Sequence, residues 1–555
     1  MSGTGQHPPD DLGPAVAGTG NGAAPAPATG DGAAAPPPAA TVGDGAAAAA
    51  PDTAGTVLPA DQIRYGSPAG WWVLAATIGG SSIAFLDSTV VNVALPALGR
   101  DLGANVSGLQ WVLNGYMLAL ASLILLAGSL GDRYGRRRVF IIGVAWFAVA
   151  SLLCAVAQTV GQLVAARVLQ GVGGALLTPG SLAIIQASFV PGDRGRAIGA
   201  WSGIGALAGA LGPFIGGFLV DSVGWRWVFL VNVPLALIVI AIAVRHVPES
   251  RDPSSPTRLD VTGALTGGIG LGGVTYALIE AGDRGLDTDV LTAAAIGLLA
   301  MVAFVVTERR STHPMLPLDI FVSRQFTWTN VVTFAVYGGM GAVFFLLVVH
   351  LQVVLGYTAL QAGVASLPVT VLLFVLSPRA GALAQRVGAR LPMSVGPVVA
   401  GAGIMLLARI QPGAGYLTEV FPAIVVFGIG LGITVAPLTT TVLAAADDRH
   451  SGVASGVNNA VARVAQLLAV AVLPVAVGLT GDAYNDPQVF AAGFTRAMLI
   501  SGALVISGGV LAFLVIDPDV TRPDGAEPPV DVGGHCDLCG PPLRTGERER
   551  AATAG

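Results

Sequence analysis

Asp87 sits in the run "AFLDSTVVNVALPAL", with Phe85, Leu86, Val90 and Val91 around it. A carboxylate among such neighbours is costly in its charged form. It must either hold a partner on another helix or exchange a proton. Thr89 and Asn92 lie three apart on a nearby face and could add polar contacts. Arg167 opens "RVLQGVGGA". Near a helix end its guanidinium could snorkel to the interface. Turned inward, it would tune a nearby carboxyl electrostatically, because guanidinium does not readily give up its proton. Asn459 and Arg463, four residues apart, share a helix face in "VNNAVARVAQ" and read as cavity-facing with Asn458 and Gln466. His350 reads as an interfacial residue. The second half of the chain shows no mid-membrane carboxylate.

The densest charge is in "AGSLGDRYGRRRV". Asp132, Arg133, Arg136, Arg137 and Arg138 crowd between two apolar runs. Gly128, Gly131 and Gly135 permit a tight turn and close helix approach. Asp132 can pair with a nearby Arg or a helix N-terminus. Further on, "GALAGALGPFIGG" carries Ala208, Gly212 and Gly216 as one small-residue ridge and Gly205 and Gly209 as another, with Pro213 as a possible bend.

The elements that position these residues follow from composition. Hydrophobic residues make up 53% of 555 and mean hydropathy is +0.72, more apolar surface than a soluble chain could hide. All 28 basic residues are Arg. Without Lys there is no Walker A loop and no Schiff-base nucleophile, so neither ATP-driven pumping nor that enzyme chemistry fits. No nucleophile–base pair or nucleic-acid motif is evident either, and no ATP or nucleic-acid partner is expected. The Lys-free, Ala/Gly/Pro-rich usage reads as high-GC coding, as in actinobacteria. "HCDLC" brings together His535, Cys536 and Cys539, short of four zinc ligands, so no metal is expected.

Fourteen segments reach the roughly 20 apolar residues that a spanning helix needs. If both termini lie on one side, the loops of that side hold sixteen arginines and the opposite loops five. The positive-inside rule then places both termini in the cytoplasm. "GSLGDRYGRRR" at Gly128 has an echo in "GALAQRVGARL" at Gly381, with Gln385 in place of Asp132. A second echo pairs "GDRGRAIGAWSG" with "DDRHSGVASGVN". Echoes in the same order predict parallel repeats. The predicted organisation is a disordered cytoplasmic tail over 1–68 without signal-peptide features, and a six-helix bundle over 69–250. Two linking helices over 251–311, a second six-helix bundle over 312–516 and a cytoplasmic tail over 517–555 follow.

With these motifs, the chain from Trp71 to Ile516 resembles the major facilitator superfamily, specifically its 14-helix drug:proton antiporter family. The carriers are the loop at Gly128, "LDSTVVNVALPAL" in the first helix, "RVLQGVGGA" in the fourth and "GALAGALGPFIGG" in the fifth. The last departs from pattern, with Ala208 where a Gly is expected. The resemblance implies an all-α integral membrane protein with the major facilitator fold, two six-helix pseudo-repeats and two linking helices. It implies a non-enzymatic monomer in the plasma membrane, exporting small hydrophobic drugs or antibiotics against protons as the coupling ion. No other cofactor is implied. It assigns proton coupling or substrate contact to Asp87, Thr89, Asn92, Arg167, Asn459 and Arg463. It assigns a cytoplasmic gate to Gly128, Asp132, Arg133, Gly135, Arg136 and Arg137. It assigns a cavity seal to Gly205, Gly209, Gly212, Pro213, Gly216 and Gly217. A symporter importing a metabolite on the same fold is the alternative.

Overall fold

The structure is a computed structural model that describes residues 63–251, 259–311, 314–445, 451–481, 483 and 486–518. Most of both predicted tails, including His535, Cys536 and Cys539, lies outside the described residues. So does part of the second echo. Among the described residues, fourteen helices are long and apolar enough to cross a membrane.

The first six spans are α1 (Pro68–Leu102), α2 (Val106–Tyr134), α3 (Arg136–Val156), α4 (Val160–Ser188), α5 (Pro191–Ser222) and a broken pair, α6 (Trp227–Leu230) with α7 (Asn232–His246). Two linking spans follow, α8 (Val261–Arg284) and α9 (Thr288–Arg310). The last six are α10 (Arg324–Val353), α11 (Ala359–Val387), α12 (Arg390–Leu407), α13 (Phe421–Ala444, entered through a π turn at Tyr416–Val420), α14 (Ser451–Ala476) and α15 (Pro487–Val515).

Polar residues set the starts of the apolar runs. Ser67, Asn105, Thr159, Asp260, Asp287, Thr358 and Asp486 each accept a backbone N–H of the turn they open. Gly103, at φ 63°, takes the left-handed conformation that closes α1. The α6–α7 break falls before Pro234, which has no N–H to continue the ladder.

The repeat seen in two loops extends through the fold. A shift of 253 residues carries Gly135 to Gly388, and α2 onto α11 end for end. In the first half α1 packs on α5 and α7, α2 on α4, and α3 on α4 and α7. In the second, α10 packs on α14 and α15, α11 on α13, and α12 on α13 and α15, the same pairs under the shift. The halves meet through α5 with α11 and α2 with α14, which are images of one another, and through α1 with α10. The linking helix α8 lies on both α2 and α14. Asp283 at its end accepts from Asn105 Nδ2 at 2.6 Å and from the Gly481 amide at 2.8 Å.

The predicted tail boundary at 68 needs adjustment. Ile63 forms a β-bridge with Phe189, and Tyr65 N–H donates to Asp193 Oδ2 at 2.9 Å. The backbone groups left open in the α4–α5 connection supply this pairing.

Candidate functional site

Asp87 and Arg167 face each other inside the first half, 0% and 1% exposed. Arg167 Nη1 lies 2.6 Å from Asp87 Oδ2. The other carboxylate oxygen accepts from Gln170 Nε2 at 2.9 Å and Asn232 Nδ2 at 3.0 Å. Gln170 Nε2 also donates to Ser151 Oγ at 2.8 Å. The guanidinium donates through Nε to the Val112 carbonyl at 3.1 Å and through Nη1 to Gln170 Oε1 at 2.5 Å. It lies over the Tyr116 ring, 4.4 Å from the centroid. Five helices therefore converge on one ion pair: α1, α2, α3, α4 and α7.

Removing two charges from water costs several kcal/mol per ion, and pairing alone does not recover that. The extra donors and the aromatic face offset the rest. The interfacial alternative for Arg167 is therefore overturned, because the side chain reaches inward to the first-helix acid. His350 is likewise buried rather than interfacial. Its ring stacks on Phe494 at 3.9 Å, with Nε2 3.1 Å from the Ile410 carbonyl.

Thr89 and Asn92 do not join this cluster. Thr89 Oγ1 donates to the carbonyls of Phe85 and Leu86, and Asn92 Nδ2 to that of Ser88, all on their own helix. Thr89 instead meets the small-residue helix. A Cβ on Gly212 would collide with its hydroxyl. The α5 ridge against α1 runs Gly205, Gly209, Gly212 and Gly216, facing Phe85, Thr89 and Val90. It merges the two ridges expected from sequence, at alternating four- and three-residue spacing. Gly217 and Pro213 look the other way, onto Leu360 and Gly363 of α11 in the second half.

Asn459 and Arg463 are half-buried on α14. Their neighbour Asn458 donates to Asn330 Oδ1 at 3.1 Å and Thr333 Oγ1 at 2.8 Å on α10.

In the loop, Arg136 Nε donates to Asp132 Oδ1 at 2.8 Å. Arg133 stacks over Tyr134. Gly135, at φ 111°, turns the chain so that the next amides point outward, where Glu249 accepts from Arg137 N and Arg138 N. Arg136 N donates to the Ser250 carbonyl, and Arg137 Nη1 to that of Val247. The second half repeats this. Ala389 N donates to the Pro518 carbonyl, and Arg390 Nε to that of Ile516. The Asp132–Arg136 pair itself is not repeated, because Gln385 and Ala389 replace Asp132 and Arg136. Asp132→Asn should therefore reduce transport at least several-fold, while Gln385→Ala should leave it near wild type. Vesicle uptake rates at matched protein levels check this, and equal effects would refute the asymmetry.

Gln170, Asn232, Ser151 and Glu249 were not singled out in the sequence. Gln170 had a usable signal, one turn from Arg167 on the same face. Asn232 is marked by the break at Pro234. Ser151 and Glu249 carry no local signature.

The sequence profile described as Major Facilitator Superfamily matches residues 77–470. The chain belongs to the major facilitator superfamily. Among curated members it is 34% identical over 480 residues to the puromycin resistance protein pur8 of Streptomyces alboniger, covering 84% of this chain and 95% of that one. It is 34% identical over 432 residues to the tetracenomycin C resistance and export protein of Streptomyces glaucescens, covering 77% and 79%. Among solved structures of this superfamily fold, a bacterial homolog of the human lysosomal transporter Spinster aligns with TM-score 0.56 at 19% identity, over 81% of this chain and 98% of that one. The xylose transporter XylE from E. coli aligns with TM-score 0.54 at 15% identity, over 80% and 96%. This major facilitator chain is thus a multi-pass membrane transporter.

Proposed function

We propose that the chain exports small, mostly hydrophobic drugs or antibiotics in exchange for protons, by alternating access. The observation that carries this is the Asp87–Arg167 pair, sealed within five helices. A proton arriving at Asp87 removes one charge of the pair and leaves Arg167 uncompensated. The helices that hold the pair then gain a reason to rearrange. The resistance and export proteins among the relatives support the choice of substrate.

With the Arg-rich loops in the cytoplasm of a plasma-membrane protein, both termini lie inside and the contacts between halves at the opposite end form the outer seal. Asp221 accepts there from the α11 amides of Leu360 at 2.8 Å and Ala359 at 3.2 Å. Gln352 donates to the Val93 carbonyl at 3.0 Å, and Gln110 to that of Val470 at 2.6 Å. This arrangement supports an inward-facing reading of the structure. The working unit is a monomer without ATP.

One proton entering across 100 mV supplies roughly 2.3 kcal/mol. At about 1.4 kcal/mol per tenfold, that sustains a gradient of roughly 50-fold. In everted vesicles acidified inside, export appears as accumulation in the lumen. Accumulation under the opposite gradient would instead establish the importing symporter, against which the α5 ridge argues.

A further inference from the structure

We infer that Arg463 recognises the charge of the transported compound, and that the compound is an apolar organic acid, bound as its carboxylate or phenolate. The inference rests on the export reading and concerns the seam between the halves.

Arg463 is the middle residue of α14, and the neighbours of that helix fix where it stands. On one flank Gln466 packs on Gly341, and Asn458 is hydrogen bonded to α10. On the other flank, Val464 and Leu467 pack with Met117 and Leu118 of α2, and Gly456 with Leu125. Arg463 lies between these two contacts. It interacts electrostatically with Tyr116 of α2 and Tyr337 of α10, one from each half. It is half-buried, so the guanidinium reaches space that a solute can enter.

The two inner arginines differ in one respect. Arg167 has Asp87, and that pair cancels its own charge. Arg463 has no acid and no hydrogen-bond acceptor among the described residues. The spans of the second half carry no Asp or Glu beyond Glu419, which lies in the π turn that opens α13. Asp87 offers no counter-charge to an organic cation, since Arg167 already neutralises it and its oxygens accept from Arg167, Gln170 and Asn232. The seam therefore presents one uncancelled positive charge in surroundings that strengthen electrostatic interactions. A cation is repelled there. A carboxylate or phenolate completes a charge-assisted contact of the kind that guanidinium makes well. Asn114 adds a second polar group. It lies one turn along α2 from Gln110, which bonds to α14. It is 0% exposed, and neither its amide nitrogen nor its oxygen has a hydrogen-bond partner.

The test is equilibrium binding to the full chain in lipid nanodiscs, without a proton gradient. The probes are 1-naphthoate, 1-naphthamide and 1-naphthylmethylamine, one ring system in anionic, neutral and cationic form. Wild type should bind naphthoate roughly tenfold more tightly than the amine, the size expected of one charge-assisted contact. Arg463→Gln should remove that preference and leave naphthamide within about twofold. Arg463→Lys should restore the order of affinities. Equal or reversed affinities in wild type, no binding of any probe, or an equal loss of all three in Arg463→Gln would each overturn the assignment. Flux of naphthoate under an imposed pH gradient is read separately. Binding that follows the predicted order without proton-driven flux would sink the export reading and uphold this one.

Discussion

Asp87→Asn should leave the protein inserted in the membrane and collapse the roughly 50-fold gradient that one proton can support to no gradient at all. The amide fits the space, but its one oxygen can accept either from Arg167 or from Gln170 and Asn232, and its NH2 then faces the remaining donors. It cannot carry the proton. Exchange of labelled for unlabelled substrate at equilibrium needs no coupling and should persist. The variant should also lose stability, because Arg167, 1% exposed, no longer has a counter-charge. Removing one partner of a buried pair costs roughly 3–5 kcal/mol. Arg167→Gln combined with Asp87→Asn should recover part of it, since the double variant buries no unpaired charge. Thermal unfolding in detergent measures this, and uphill efflux in everted vesicles measures the first effect. Undiminished uphill efflux from Asp87→Asn would remove the pair from the coupling step.

The second large effect is expected where α5 crosses α11. A Cβ on Gly363 would overlap the Pro213 carbonyl, and one on Gly217 would lie 2.5 Å from Leu360 Cα. Both obstacles are backbone, so neither can be relieved by a rotamer change. Gly363→Ala and Gly217→Ala should each destabilise the closed contact by about 1–3 kcal/mol, the usual cost of overpacking. That is a shift of population of roughly 5- to 150-fold away from the state described here. Ala359→Cys reports on it, since Ala359 is buried at this crossing. Its labelling by a water-soluble maleimide should be slow in the parent and at least several-fold faster in either Gly variant, with transport falling in parallel. Unchanged labelling would mean that the crossing does not close the path.

Much of this was legible because lipid imposes strong rules on sequence. The number of spans follows from apolar run length, and the repeat from the glycines and arginines shared by the loops at Gly128 and Gly381. Asp87 and Arg167 stood out because charge inside an apolar run is rare. Their pairing was not legible, as nothing local relates residues 80 apart that meet across two helices. Thr89 and Asn92 show the limit of reading polarity alone. A hydroxyl or amide on a helix can satisfy itself on a carbonyl three or four residues back, and both do. The α5 ridge was recognised as a packing device, but the choice of partner for each glycine required the neighbouring helices. Glu249 and Asp221 escaped notice for a different reason. They lie at helix ends, where acids are common, and only the fold reveals that each accepts the amides that open another helix.

The paired turn contacts have a mechanical consequence. In each half the chain leaving the last span returns to hold the turn between the second and third, through Ser250 and Val247 in one case and Pro518 and Ile516 in the other. Each half is thereby a closed ring of helices, resistant to shear because its last member is fastened to its second turn. Displacement must then be taken up between the rings. The linking helix α8, held to both by Asp283, acts as a tether that sets how far they can swing. Cutting that tether with Asp283→Ala would enlarge the swing without altering either ring.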